Sequence, residues 1–324
     1  MNTAAAIDSR HAAGQRLRER MFSAATFVAA VLVLTLLGGV ALTLLHGAWP
    51  ALAHFKLRFL TSEVWNPVTD QFGALAAVYG TLVTSLIALA IAIPVSLGIA
   101  IFLTELAPAW LKRPVGIAIE LLAAVPSIIF GIWGLFVLAP ILQRHVQPWL
   151  IDTIGPLPIV GRLFQGPPFG IGILTAGIVL AIMVVPFVLS VSREVLLAVP
   201  RDQREAALAL GATKWESTWK VVVPAARIGI FGSVFLALAR ALGETMAVTM
   251  VIGNNPRVAA SLFSPGYSIA AVLANEFSEA TGNLYLSALI ELGLVLFLLT
   301  FVLNGLARLL ILVTTARGSG VLPT

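Results

Sequence analysis

The chain consists of long apolar runs separated by shorter polar segments. A helix that crosses a bilayer needs about 20 predominantly apolar residues. Six runs reach that length, at residues 24–45, 74–103, 115–141, 169–192, 229–253 and 284–312. Within lipid, only helices and closed barrels satisfy every backbone hydrogen bond. The pattern therefore predicts an all-α polytopic membrane protein with six transmembrane helices.

The composition supports this prediction. Of the 324 residues, 59% are hydrophobic and 11% are charged, whereas soluble domains average about 45–50% apolar and about 25% charged residues. The chain has no cysteine, and its 4 histidines are scattered. Zinc, iron–sulfur, disulfide and cysteine-nucleophile chemistry are therefore not expected. We expect no catalytic residue, no metal and no cofactor in this chain.

Lysine and arginine residues are distributed unevenly between alternate loops. If the N-terminus lies inside, the inner segments carry 14 of them and the outer loops carry 5. Because basic residues prefer cytoplasmic loops, both termini are predicted to be cytoplasmic. The basic residues do not form one patch, so a nucleic-acid partner is not expected.

The predicted organisation follows from this topology. Residues 1–23 are expected to form a basic cytoplasmic tail, residues 24–312 the transmembrane domain, and residues 313–324 a cytoplasmic C-terminal tail. The longest inner segment is the loop 193–228, which lies between the fourth and fifth spans.

Local signals in this loop predict two short helices joined by a glycine turn. Gly211 is placed to end the first helix in the left-handed conformation. Thr213, followed three residues later by Glu216, has the spacing of a capping box that starts the second helix. Pro224 is expected to end that second helix.

The spacing of certain residues in this loop is a more specific signal of function than the two predicted helices. Glu205, Ala206 and Ala207 are followed by Gly211 and then by Val221-x-Val223-Pro224. This pattern resembles the EAA loop of ABC-importer permeases, with valines where the family has isoleucine and leucine. The resemblance implies that the helix bearing Glu205 docks into a groove on a cytoplasmic ATPase. The alternative is an ordinary pair of helices on the membrane surface.

ATP hydrolysis is expected in a partner chain. The sequence contains no G-x-x-x-x-G-K-[ST], the motif whose backbone amides hold nucleotide phosphates. The resemblance therefore assigns ATP and magnesium to a separate ATPase subunit.

Arg240 and Glu244 lie inside the fifth predicted span. A charge at the centre of a membrane helix costs about 2.5–3.5 kcal/mol on insertion scales. With a helix start near Gly229, Arg240 is expected about 16–17 Å deep, near the membrane centre, and Glu244 one turn further on the same face. Intramembrane ionisable residues often mark substrate pathways, and arginine offers fixed donors to an anion. The substrate pathway is therefore the favoured role for both residues.

A structural role is the alternative. In that case Arg240 and Glu244 neutralise each other, or Arg240 pairs with Glu120 or Glu291, and the charges hold the helices together. Glu120 lies near the inner end of the third predicted span, and Glu291 about two turns into the sixth.

Three further stretches carry a second resemblance. They are RALGETMAVTMVIGN (240–254), YGTLVTSLIALAIAIPVSLGIAIFLTELAP (79–108) and KRPVGIAIELLAAVPSIIFGIWGLF (112–136). All three resemble the phosphate-specific ABC transporter permeases, in particular those of the PstC type. The likeness extends over residues 49–304.

This resemblance implies a subunit of a phosphate importer in the bacterial inner membrane. Its expected partners are a second permease of the PstA type, two ATP-binding subunits of the PstB type, a periplasmic phosphate-binding protein of the PstS type, and membrane lipid. Two alternatives stay open: a permease for another oxyanion such as sulfate or molybdate, and a membrane scaffold or sensor of phosphate status.

Overall fold

The computed structural model describes the backbone of residues 3–316 and the side chains of residues 18–309. The C-terminal part of the predicted tail 313–324, from residue 317, lies outside the described residues. In chain order the α-helices are α1 (Thr3–Phe55), α2 (Arg58–Thr61), α3 (Leu75–Ile101), α4 (Ala109–Ala124), α5 (Ser127–Trp133), α6 (Ala139–Ile141), α7 (Gln147–Thr153), α8 (Ile173–Ala198), α9 (Arg201–Ala209), α10 (Lys214–Ser217), α11 (Val223–Leu242), α12 (Met246–Val251), α13 (Ile269–Glu276) and α14 (Asn283–Ala316).

Short π-helical and 3₁₀ turns join or extend several of these helices. The π-helical turns are Phe102–Leu106, Gly134–Leu138, Leu142–Val146 and Thr218–Val222, and the 3₁₀ turn is Val160–Phe164. Among the described residues, six helices are long and apolar enough to cross a membrane: Arg18–Phe55, Leu75–Leu106, Ser127–Thr153, Ile173–Ala198, Lys214–Leu242 and Asn283–Leu309. The number and order of the predicted spans are confirmed; the bounds of all six differ from those predicted, and those of the third and fifth spans differ most.

The third span begins later than predicted. The run 115–141 is interrupted at Pro126, where the backbone is extended, and the spanning helix is Ser127–Thr153. Proline has no N–H and its ring clashes with the preceding turn, so a helix that reaches it ends or bends. The residues before Pro126 form the separate helix α4.

The fifth span is displaced toward the N-terminus by comparison with the predicted range 229–253. Its continuous helix starts at Lys214, passes through the π-helical turn Thr218–Val222 and reaches Leu242, after which the chain continues into the short helix α12. The prediction that Pro224 ends the second helix of the loop is wrong, because Pro224 lies in the first turn of α11. The π-helical turn shifts the hydrogen-bond pattern just before Pro224, which accommodates a residue without an N–H.

Helix α8 forms the centre of the bundle. Of its most apolar stretch, 72% is buried within the chain, whereas the corresponding share for α1 is 0%. Glycines allow α3 and α11 to approach α8 closely. A Cβ atom on Gly177 would lie 2.6 Å from Ile87 of α3, and one on Gly229 would lie 2.3 Å from Val195 of α8.

The first and last spans contact each other near one end of the bundle. Ser287 of α14 accepts a hydrogen bond from the backbone N–H of Ala51 at 3.0 Å. Its hydroxyl also donates to the carbonyl oxygen of Gly47 at 2.9 Å. Most of the remaining apolar surface of α1 is exposed, as expected for a helix that faces lipid.

A carboxylate surrounded by aromatic side chains joins the segments at that same end. Glu276 accepts hydrogen bonds from Trp65 Nε1, from the Tyr267 hydroxyl at 2.9 Å and from the Tyr285 hydroxyl at 2.8 Å. Burial raises the pKa of Tyr267, and the negative charge of Glu276 raises it further. Tyr267 therefore stays protonated and remains a hydrogen-bond donor to the carboxylate.

Candidate functional site

The fifth span is broken next to the predicted intramembrane charges. Helix α11 ends at Leu242 and α12 begins at Met246, so Gly243, Glu244 and Thr245 lie between two helices. The prediction that Glu244 lies one helical turn beyond Arg240 on the same face is therefore wrong. Gly243 leaves the helical conformation at φ −94° and ψ 1°, which ends the regular spacing of side chains.

Arg240 occupies the last turn of α11 and is half-buried. Its guanidinium carbon lies 4.0 Å from the ring centroid of Phe187 in α8. A cation over an aromatic face is stabilised by about 2 kcal/mol when both are shielded from water. Its Nε atom is buried and has no hydrogen-bond partner among the described residues.

Phe187 also indicates the depth of Arg240 in the membrane. It lies 14 residues after the start of α8 and 11 residues before its end. At 1.5 Å per residue these separations are about 21 Å and about 17 Å. The predicted helix start at Gly229 was wrong, but the contact with Phe187 places the guanidinium near the middle of a membrane-spanning helix.

Glu244 does not neutralise Arg240. Within residues 18–309 the ion pairs are Arg204 with Glu105 and Lys220 with Glu216. Glu244 is half-buried, and its Oε1 accepts a long hydrogen bond of 3.5 Å from the backbone N–H of Ala247 in the first turn of α12. A carboxylate there complements the positive end of the helix dipole.

The two other carboxylates proposed as partners are also separate from Arg240. Glu120 is exposed on α4. Glu291 is only 2% exposed, and its Oε2 has no hydrogen-bond partner among the described residues. Neither forms an ion pair with Arg240 in that part of the chain. The structure therefore does not join these four charged residues into one network.

The break is partly uncovered by the chain itself. Gly243 and Met246 are exposed, whereas α12 packs firmly against α5. A Cβ atom on Gly131 would lie 3.0 Å from Ala247, and one on Gly134 would lie 3.0 Å from Val251. Irregular backbone at membrane depth is stable only where protein covers it or where it lines a water-filled cavity. This face therefore borders a second protein or an aqueous path.

The predicted helix–glycine turn–helix is confirmed in the loop between α8 and α10. Helix α9 carries Glu205 and Ala206, which are exposed, and Ala207, which is half-buried. Gly211 follows at φ +84°, with open space around it. Thr213 and Glu216 form both hydrogen bonds of the predicted capping box. Leu210 is 89% exposed, which leaves an apolar side chain beside the exposed face of α9.

Several residues at these sites were not indicated by the sequence. Phe187 was one apolar residue in an apolar run, and Glu105 lies 99 positions before Arg204, its partner in the ion pair of 3.2 Å. No local spacing relates either residue to its partner. A charged residue at the end of an apolar run was the one available signal for Glu105.

A known family of proteins matches most of this chain. Residues 93–311 match the family described as binding-protein-dependent transport system inner membrane component. The chain belongs to this family of transport proteins. It is therefore a multi-pass inner-membrane component of a transporter.

The relatives define the group more narrowly. The chain is 56% identical to the phosphate transport system permease protein PstC of Mesorhizobium japonicum, over 93% of this chain and 92% of that protein. It is 54% identical to PstC of Pasteurella multocida over 91% and 92% of the two chains, and 53% identical to PstC of Haemophilus influenzae over 94% and 96%. The resemblance seen in the sequence is confirmed.

Solved structures confirm the fold. An alginate ABC transporter in complex with an alginate pentasaccharide-bound periplasmic protein has a chain that matches with a TM-score of 0.56 and 16% identity, over 87% of this chain and 92% of that one. An inward-facing MetNI methionine ABC transporter matches with a TM-score of 0.50 and 18% identity, over 72% and 93%. The all-α architecture is that of ABC transporter membrane subunits.

Proposed function

We propose that this chain is the transmembrane permease subunit of an ATP-driven importer of inorganic phosphate. The observation that carries the proposal is Arg240, a guanidinium at mid-membrane depth beside a break in the fifth span, with no carboxylate paired to it among the described residues. The assignment of phosphate as the substrate rests on the PstC relatives, which are named for phosphate transport.

The geometry at Arg240 suits transient binding of an anion. The guanidinium lies over the ring of Phe187, which accepts no conventional hydrogen bond, so its N–H groups remain available to phosphate oxygens. The exposed break at Gly243 lets an anion reach these donors from the side that the chain leaves uncovered. Glu244 is half-buried at the same break, where its carboxylate accepts a hydrogen bond from protonated phosphate.

The complex that this function requires has several chains. A second permease of the PstA type covers the face that exposes Gly243 and Met246 and completes the substrate path. A periplasmic phosphate-binding protein of the PstS type delivers substrate at the Glu276 end of the bundle, and membrane lipid surrounds α1. Two ATP-binding subunits of the PstB type hydrolyse ATP with magnesium and bind the α9 helix, with both termini of this chain in the cytoplasm.

The α9 helix is suited to contact with the ATPase. Glu205 and Ala206 form an exposed surface on which small side chains allow close approach. The open space around Gly211 allows the helix to change its angle relative to α10. Glu205, Ala206, Ala207 and Gly211 are therefore proposed as the ATPase-coupling residues.

Uptake by the reconstituted complex tests this function. Radiolabelled phosphate uptake is measured in proteoliposomes that contain all four kinds of chain, with ATP inside and excess sulfate outside. We expect uptake that resists sulfate in the wild type, falls about 100-fold in Arg240→Gln, and is partly kept in Arg240→Lys, because the anion interaction is ionic and weakens without charge. Lys220→Gln, which removes an exposed charge, is the matched control and keeps full uptake.

Three results would contradict the proposal in different ways. Uptake blocked by sulfate would assign the path to another oxyanion. Full phosphate uptake by Arg240→Gln would remove Arg240 from the path. An intact complex that hydrolyses ATP without uptake in the wild type would favour a scaffold or sensor of phosphate status.

A further inference from the structure

Arg204, in the first half of α9, contacts two other helical elements. Its NH1 atom donates a hydrogen bond to the carbonyl oxygen of Val199 at 2.8 Å, and its NH2 atom donates to that of Leu196 at 2.6 Å. The same NH2 atom lies 3.2 Å from Glu105 Oε1, at ion-pair distance but without hydrogen-bond alignment. The two side chains are only 19% and 14% exposed. Arg204 therefore points into the protein, away from the exposed face of α9.

Arg204 adds donors at the end of α8, where the carbonyl oxygen of Leu196 also accepts a hydrogen bond from the backbone N–H of Val199 at 3.4 Å. The last carbonyl groups of a helix have no partner within the helix, and Leu196 and Val199 lie at the end of α8. A cation at this position also complements the negative end of the helix dipole. Arginine, unlike lysine, reaches two carbonyl oxygens and a carboxylate from one planar group.

Glu105 extends the contact to the second span. It lies in the π-helical turn Phe102–Leu106 that follows α3. The carbonyl oxygen of Thr104 in the same turn accepts a hydrogen bond from Lys112 Nζ of α4 at 2.9 Å. Beneath them, a buried apolar cluster includes Ile101, Leu196 and Val199. The ends of α3, α4 and α8 that lie next to the Arg204 side chain are therefore held together by these contacts.

The opposite end of α9 leads into a glycine turn. Gly211 has a positive φ and no atom within 4 Å of a Cβ at that position. The following helix starts with its own capping box of Thr213 and Glu216. Arg204 thus joins α9 to the end of α8 by two hydrogen bonds and to the turn after α3 by a partly buried ion pair, whereas the connection from α9 to α10 passes through Gly211, which no neighbouring atom crowds.

We propose that Arg204 and Glu105 are positioning residues that fix α9 to the α3–α8 pair, so that displacement of α9 by the ATPase is delivered to these two spans. Helix α8 also carries Phe187, the residue in contact with Arg240. Movement of α8 therefore reaches the proposed anion site directly. This inference rests on the proposed coupling role of α9.

The test measures phosphate uptake and ATP hydrolysis together in proteoliposomes that contain the whole complex. Arg204→Gln and Glu105→Gln each remove one charge and keep side-chain size. We expect each variant to hydrolyse ATP while the number of phosphate ions taken up per ATP falls about tenfold, within the usual range of coupling between sites. Lys220→Gln removes one partner of the exposed 3.2 Å ion pair with Glu216 and is expected to leave this ratio unchanged.

A chemical cross-link separates positioning from folding. The natural chain has no cysteine, so the double variant Arg204→Cys with Glu105→Cys receives a short bis-maleimide only at these two positions of the chain. We expect the ratio to be low before cross-linking and to recover several-fold after it. The two single-cysteine variants, treated in the same way, provide the control and show no recovery.

The outcomes distinguish this inference from the proposed function. A wild-type complex without ATP-dependent phosphate uptake contradicts the proposed function itself. Normal uptake per ATP in Arg204→Gln contradicts the positioning role alone. If both activities fall in proportion and the cross-link restores neither, Arg204 supports folding only and the inference is overturned.

Discussion

Arg204 and Arg240 are both half-buried arginines near helix ends, and both have an Nε atom without a hydrogen-bond partner among the described residues. Their terminal nitrogens differ. Those of Arg204 contact two backbone carbonyls and a carboxylate, whereas Arg240 lies over an aromatic ring. A guanidinium with several oxygen partners holds neighbouring elements in place. One that contacts only a ring face keeps its donors available to a passing anion.

The two regions are connected through the contact between α8 and α11. Gly229 lies against Val195, and the hydroxyls of Ser192 and Ser233 lie 3.0 Å apart across the same interface. The α11 residues of this interface, Gly229 and Ser233, lie in sequence between Arg204 and Arg240. We therefore predict that disruption of this interface destabilises both regions, whereas a substitution within one region changes the local stability of that region only.

The largest effect is expected from Gly229→Ala. The added methyl group would lie 2.3 Å from Val195 and would force α8 and α11 apart. We expect a loss of about 3 kcal/mol in stability, at the upper end for an overpacked core, measured as a lower thermal midpoint of the purified complex. Gly232→Ala is the matched control because nothing lies within 4 Å of a Cβ there. Equal midpoints for the two variants would contradict the close packing.

Glu244→Gln tests the intramembrane region alone. Phosphate retains a proton at neutral pH and donates a hydrogen bond, whereas sulfate does not. Loss of a hydrogen bond to a charged acceptor costs about 2 kcal/mol. We therefore expect discrimination against sulfate in uptake competition to fall roughly thirtyfold, with ATP hydrolysis still responsive to phosphate. The control is Glu120→Gln, which changes an exposed carboxylate away from the break. Unchanged discrimination against sulfate in Glu244→Gln would show that the Glu244 side chain does not select phosphate.

Gly211→Ala tests the turn after α9. Its φ of +84° lies in the left-handed region, which costs a residue with a Cβ about 1.5 kcal/mol. We expect hydrogen exchange at the C-terminal end of α9 to become about tenfold faster, while the amides of α12 are unaffected. Gly211→Asn is the control, because asparagine tolerates this conformation better. Equal rates in both variants would show that the turn is not strained.

The smallest effect is expected from Thr213→Ala. This change removes one hydrogen bond of the capping box with Glu216, which costs about 1 kcal/mol. Hydrogen exchange in α10 should become roughly fivefold faster, with Thr213→Ser close to wild type because serine retains the hydroxyl. An effect as large as that of Gly229→Ala would mean that the loop supports the whole bundle and would end the distinction between the two regions.

The sequence was sufficient for features set by length and by local chemistry. Lipid requires about 20 apolar residues per crossing, so six spans could be counted without knowing their contacts. The turn at Gly211 and the capping box of Thr213 and Glu216 depend on residues within a few positions of one another. These features could be predicted because their interactions are local.

Features that depend on distant contacts could not be predicted. The break at Gly243 interrupts a run that is apolar on both sides, and α12 is fixed by packing against Gly131 and Gly134, more than 100 positions earlier. The contact between Arg240 and Phe187 joins residues of two different spans. A sequence pattern gives the depth of a charge in the membrane, but its partners follow from which helices become neighbours.

The contact between α1 and α14 has a consequence for biosynthesis. Ser287 bonds to the backbone at Gly47 and Ala51, which are made about 240 positions earlier. The first span must therefore wait in the bilayer, stable as a single helix, until nearly the whole chain has left the ribosome. Its exposed apolar surface is what allows this delay. A nascent chain truncated before residue 287 would keep its first span inserted but would lack the hydrogen bonds that join this span to α14.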